Sequence, residues 1–83
     1  MKLTYYSTFW CGPCKQFAPV VEQFCSDNGI EFVKLDLEEV KDDLILPLIK
    51  SVPFLKFEKG LVTRTTCGTM SISELKKFCD IQT

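Results

Sequence analysis

The sequence predicts a three-layer α/β/α sandwich around a four-stranded mixed sheet, with elements in the order βαβαββα. Three observations predict it. A strand pattern passes into a helical one and returns to strand within the first 36 residues, the length of a βαβ unit. Two further strand patterns follow as a hairpin. A capped helical pattern then closes the chain.

The first strand is read over Lys2 to Thr8, which carries Leu3, Thr4, Tyr5 and Tyr6. The first helix runs from Pro13 to about Asp27. Pro13 suits the first helical position, because its missing N–H would have had no intrahelical partner and its φ is already near the helical value. Pro19 removes one backbone bond inside the helix and should bend its axis, while Val20, Val21 and Phe24 continue the apolar face. Asn28-Gly29 supplies the stop, and Ile30 to Asp36 alternates toward a second strand. A strand, helix and strand in this order should give parallel strands with a right-handed crossover.

Between Leu37 and Ile49, acids mix with Leu and Ile at three- and four-residue spacing, which predicts a helix from about Glu39 to Leu46, ended by Pro47. Phe54 to Glu58 and Leu61 to Cys67 read as strands joined by a tight turn at Lys59-Gly60. Ser71-Ile72-Ser73-Glu74 has the form of a capping box, and Leu75, Phe78 and Cys79 supply the apolar face of a last helix through about Cys79. The expected sheet order is second, first, third, fourth strand. With no linker, repeat or low-complexity tract, residues 1–83 are read as a single domain of modest core.

The chemistry concentrates in Trp10-Cys11-Gly12-Pro13-Cys14. At a strand-to-helix junction Cys11 falls at about the N-cap, where free backbone N–H groups and the positive end of the helix dipole favour thiolate over thiol. Such settings lower a thiol pKa from about 8.5 to roughly 3.5–7.5. Cys14, one turn on, can close a disulfide with Cys11 and reopen it. We therefore assign Cys11, expected to be exposed and acidic, as attacker of a substrate disulfide, and Cys14, expected to be shielded, as the thiol that resolves the mixed disulfide. A zinc site would want two more ligands, and the chain has no His and no second C-x-x-C. A structural disulfide across so small a loop would constrain the unfolded chain little, which favours a labile role.

The formal net charge of -1, with acids and bases interspersed, offers no basic patch for nucleic acid. No stretch of about 20 apolar residues could span a membrane, and the chain enters its first strand without a charged and apolar leader. Five cysteines, an odd number without a regular framework, fit a reducing compartment, so the expected localisation is cytoplasmic. Cys25 and Cys79 are expected as small buried core residues. Packing is also favoured for Cys67, with an accessory thiol as the alternative.

Trp10-Cys11-Gly12-Pro13-Cys14-Lys15 resembles the thioredoxin active-site motif, and the likeness extends along most of the chain. Ala18-Pro19 falls where that family has its helix-kinking proline, Phe32 to Asp36 resembles its central strand with a lysine, Val52-Pro53 its cis-proline loop, and Gly68 the glycine before its last helix. The resemblance implies a thioredoxin-like fold, a cis Pro53 against the sulfurs, and a shallow substrate surface of Trp10, Val52, Pro53 and Gly68 around Cys11. It implies active-site support from Trp10, Gly12, Pro13, Lys34 and Pro53. It also implies a redox-active Cys11–Cys14 disulfide with no further cofactor. Three departures accompany it. The family's usual N-terminal strand and helix have no counterpart here, which makes this a short form and predicts a bare sheet edge. Tyr5 stands where most thioredoxins bury an acid that aids proton transfer to the resolving cysteine, so that role is not carried over. Phe54 replaces the small polar residue often found after the cis-proline.

The expected activity is reduction of protein disulfides, with re-reduction by a thioredoxin reductase or another thiol donor, by a monomer that binds neither nucleic acid nor membrane. Alternatives are a glutaredoxin-like reductase recharged by glutathione, a more oxidising oxidase or isomerase, a thioredoxin-fold scaffold with incidental thiols, and metal transfer by the two thiolates.

Overall fold

In a computed structural model, residues 1–39, 49 and 51–81 are described. They form β1 (Lys2–Ser7), α1 (Gly12–Asp27), β2 (Glu31–Asp36), β3 (Phe54–Lys59), β4 (Val62–Cys67) and α2 (Ile72–Phe78). The helix expected from Glu39 to Leu46 lies, but for Glu39, outside the described residues, and Glu39 itself is in a turn.

The four strands lie in the order β2-β1-β3-β4. β1 and β2 are parallel, with Leu3 opposite Phe32 and Ser7 opposite Asp36. β3 runs antiparallel to β1, and β4 antiparallel to β3. The hairpin turn is Gly60-Leu61, one residue later than expected. Lys59 still pairs with Val62, and Gly60 takes the positive φ of 60° that a tight two-residue turn needs. β2 and β4 are the outer strands, and Glu31 and Lys34 of β2 are exposed. Charged side chains on an edge discourage pairing with another chain.

Strand alternation sorts the apolar residues onto two faces. Leu3 and Tyr5 of β1 and Leu55 and Phe57 of β3 meet Phe17, Val21, Phe24 and Cys25 of α1 and Leu75 of α2, together with Cys79, in the main core. Both described helices therefore lie on one face. On the other, Tyr6 and Phe54 meet edge to face with ring centroids 6.0 Å apart, and Leu35, Leu37 and Ile49 pack against them.

Helix termini follow the sequence signals closely. Asn28 caps α1 through its backbone N–H, shared between Phe24 and Cys25 carbonyls, and through Nδ2, 2.8 Å from the Phe24 carbonyl. Ser71 caps α2 in the expected capping box: Ser71 Oγ accepts from the Glu74 N–H, and Glu74 Oε1 accepts from the Ser71 N–H. Pro19 lies inside α1 without ending it.

Candidate redox site

β1 ends at Ser7, and the turn Thr8-Phe9-Trp10 carries the chain over the carboxyl end of the sheet into α1. The Cys11 N–H donates to the Thr8 carbonyl at 3.3 Å and closes that turn. Cys11 is the N-cap residue, in an extended conformation (φ -86°, ψ 103°), and its Sγ accepts from the Cys14 N–H at 3.2 Å. The helix begins at Gly12, one residue before the expected start, so that Pro13 still sits in the first turn, where an N–H is dispensable. Cys11 and Cys14 are joined in a disulfide, with Cα atoms 5.3 Å apart.

The amide that donates to the Cys11 sulfur is one of the orphan donors at a helix N-terminus, so it would stabilise an anionic sulfur more than a neutral one. The expected contrast in access is present in order but not in degree: Cys11 is 6 % exposed and Cys14 2 %. The exposed attacker expected from sequence is thus nearly buried in the disulfide form. Its sulfur is turned toward the helix end, where it bonds Cys14 and accepts the cap hydrogen bond. The surface around it is open, for Phe9 and Trp10 are 63 % and 66 % exposed and Gly12 and Pro13 are exposed as well.

Of the other residues expected at the site, Trp10 and Val52 share a groove and Lys34 shares a cleft with Cys14. The Val52–Pro53 peptide is cis. Pro53 is buried, and its carbonyl accepts from the Gly68 N–H at 2.8 Å, which ties the start of β3 to the end of β4. Gly68 has φ 90°, a conformation that disfavours side chains. Val52 is half-buried and lines an apolar groove of about 470 Å³ with Trp10, Leu37 and Ile49. A second groove of about 520 Å³ runs on the other side of the motif, along Gly12, Pro13, Gln16, Thr69 and Met70. Pro53 thus presents no open side chain here, whereas its neighbour Val52 does line the groove.

Beneath Cys14 lies a cleft of about 320 Å³ lined by Ser7, Thr8, Lys34, Asp36 and Glu39, with Lys15 at its margin. Lys34, which the resemblance implies as active-site support, therefore shares a cleft with Cys14. Tyr5 lies wholly buried on the inner side of the same cysteine, and its hydroxyl donates to the Cys14 carbonyl at 3.0 Å. Burial pushes the Tyr5 phenol up to about 12. Phe17 and Phe32 flank its ring, each at a centroid distance of 6.1 Å.

Among the other cysteines, Cys25 and Cys79 are fully buried, as expected. Burial, with neighbouring Cys79 adding, pushes the Cys25 thiol up to about 12. Cys79 is pushed up to about 11 by burial, with Arg64 pulling the other way. Cys67 is exposed, contrary to the favoured packing role. Its partner across the hairpin is Phe54, which places it on the sheet face away from α1 and α2, on an outer strand.

Sequence reasoning missed Phe9, Thr8, Ser7, Asp36 and Met70. Phe9 was legible as a second aromatic beside Trp10 in an exposed turn. The others carried no signal, because their relation to the thiols depends on which loops the sheet brings to one edge.

A family model for thioredoxin matches residues 1–80. The thioredoxin of Pseudomonas aeruginosa is 35 % identical over 81 residues, covering 94 % of this chain and 75 % of that protein. Thioredoxin-2 of Saccharomyces cerevisiae is 44 % identical over 52 residues, 61 % of this chain and half (50 %) of that protein. Among solved structures, the oxidised thioredoxin of Plasmodium falciparum superposes with a TM-score of 0.74 at 30 % identity, covering 95 % of this chain and 77 % of that one. Thioredoxin 1 of Thermosipho africanus gives 0.82 at 21 % identity, a likeness of fold, covering 96 % and 91 %.

Proposed function

The chain belongs to the thioredoxin family, and from that premise we propose that it reduces protein disulfides, with Cys11 as nucleophile and Cys14 as resolving thiol. The observation that carries this reading is the Cys11 sulfur, capping α1 by accepting the Cys14 N–H while bonded to Cys14. In the reduced protein the same amide and the helix dipole favour a Cys11 thiolate. That thiolate attacks a substrate disulfide, one substrate sulfur leaves as thiolate, and a mixed disulfide remains. Cys14 then attacks Cys11, the second substrate sulfur leaves, and the disulfide described above is regenerated. Two electrons pass from the pair to the substrate. No group beyond the two sulfurs is needed to carry them.

The two grooves on either side of the motif support an extended apolar substrate segment lying across Trp10, Val52, the Pro53 loop and Gly68. Gly12 and Pro13 hold the spacing of the sulfurs, and Lys34 acts at the cleft beneath. As donor we propose a thioredoxin reductase, supported by family membership, with glutathione as the alternative a turnover comparison would reveal. Thiols at Cys25, Cys67 and Cys79 support a reducing, cytoplasmic setting. No described helix is long and apolar enough to cross a membrane. We read residues 1–83 as one domain acting as a monomer.

Insulin-disulfide reduction tests the roles. Cys11→Ser and Cys14→Ser should both abolish turnover, and Cys14→Ser alone should accumulate a covalent complex with substrate. Normal turnover by Cys11→Ser would overturn the assignment. A biological activity that survives both substitutions would favour the scaffold alternative.

A further inference from the structure

Resolution of the mixed disulfide needs a Cys14 thiolate, so the proton of Cys14 must go somewhere. Tyr5 is the titratable side chain in direct contact with Cys14, and it is unsuited: its hydroxyl already donates to the Cys14 carbonyl, and burial keeps the phenol protonated to about pH 12. On the other side of Cys14 the cleft is polar. There Thr8 Oγ1 is buried with no hydrogen-bond partner among the described residues, in a residue 8 % exposed. An orphaned buried hydroxyl is costly unless something bonds it, and a cleft of this size has room for water.

Two carboxylates face the cleft. Asp36 ends β2 directly opposite Ser7, the neighbour of Thr8, and is half-buried. Its Oδ1 accepts the Glu38 N–H at 2.8 Å, which fixes the carboxylate in place. Glu39 is exposed in the following turn. The charged groups around them are Lys34 on β2 and Lys15 on α1. β1 contributes Tyr5 as the titratable group facing Cys14.

We propose that Asp36 accepts the Cys14 proton during resolution, through a water held by Thr8 Oγ1 in this cleft. This rests on the assignment of Cys14 as resolving thiol. The S–H bond of Cys14 breaks and its proton passes through the water to the Asp36 carboxylate. The Cys14 thiolate attacks Cys11, a Cys11–Cys14 bond forms, and the bond from Cys11 to substrate breaks. The departing substrate thiolate takes a proton from solvent, to which Asp36 returns its own at the cleft mouth. Asp36 does not touch the reacting sulfurs, so it acts as a proton acceptor at one remove.

The two steps separate when the reduced protein meets an aromatic disulfide whose thiolate is coloured. The first equivalent released reports attack by Cys11 and the second reports resolution by Cys14. A Cys67→Ser background removes the signal of that exposed thiol. At pH 7, Asp36→Asn should lower the ratio of second-phase to first-phase rate roughly 100-fold or more, the scale of a general base. The deficit should shrink as pH rises, because hydroxide then takes the proton in place of a carboxylate. Asp36→Asn keeps an oxygen for the Glu38 N–H, so the turn is retained. As an independent arm, Thr8→Val should lower the ratio in the same direction and Thr8→Ser should restore it. A ratio within twofold of wild type for Asp36→Asn, or an equal loss for Glu39→Gln, would overturn the proposal. Absence of the first phase in the otherwise unaltered protein would instead overturn the Cys11 reading beneath it.

Discussion

Tyr5 shows how one buried residue can serve the site by holding it in place. Its hydroxyl fixes the Cys14 carbonyl in the first turn of α1, and its ring fills the core between Phe17 and Phe32. A phenol pushed to about 12 stays neutral at physiological pH and takes no proton from a thiol. Tyr5→Phe should therefore cost about 1 kcal/mol in urea unfolding, the worth of one buried hydrogen bond, and lower insulin reduction only a few-fold. A larger loss of activity than of stability would show that the hydroxyl takes part in the chemistry. Cys67 makes the complementary point. Its position before Gly68 was visible in the sequence, but an exposed face on an outer strand was not, since alternation says that residues differ in face without saying which face is covered.

At the level of elements, the two helices owe their ends to different devices. α1 starts at a sulfur cap and carries Pro19 in its interior, where the Lys15 carbonyl loses its usual donor. Its apolar face against β1 and β3 offsets that loss, since packing rather than propensity holds most helices in place. α2 has only seven residues, Ile72–Phe78, and depends on its capping box and on Leu75 in the core. At its other end Arg64 Nη1 of β4 donates to the Phe78 carbonyl at 3.2 Å. Ser71→Ala removes the hydroxyl that accepts the Glu74 N–H and should destabilise the protein by about 1 kcal/mol, measured by urea unfolding. Its effect on the rate of Cys11 attack should be small, because α2 contributes no side chain to the sulfur pair.

For the whole molecule, the main core holds two thiols that stay neutral well above their ordinary pKa near 9. In the unfolded chain these thiols lose protons above about pH 9, whereas in the fold Cys79 and Cys25 retain them to about 11 and 12. Between those limits the unfolded state binds fewer protons, so stability is intact below pH 9 and falls as pH rises toward 11 and 12. The slope should be at most about 1.4 kcal/mol per pH unit for each thiol. Urea titrations between pH 8 and 10.5 should show this decline, and it should flatten in the Cys25→Ala, Cys79→Ala double variant. An unchanged slope would mean that these thiols ionise in the fold as freely as in the unfolded chain.

The sequence by itself determined the order of the described elements, the sheet order, both helix caps and the pair that carries the chemistry. The sheet order follows from the topology of a βαβ unit followed by a hairpin, and the other features depend on residues close together in the chain: period-two and period-3.6 patterns, Asn28-Gly29, Ser71 to Glu74, and Cys11 to Cys14. The tertiary structure decided the near burial of Cys11, the contact of Tyr5 with Cys14, and the meeting of Asp36, Thr8 and Cys14 around one cleft. These contacts join residues from different elements, and their geometry is fixed by strand register and by the packing of α1 on the sheet. A local pattern encodes which face an element buries, but it holds no information about which distant side chain will be found there.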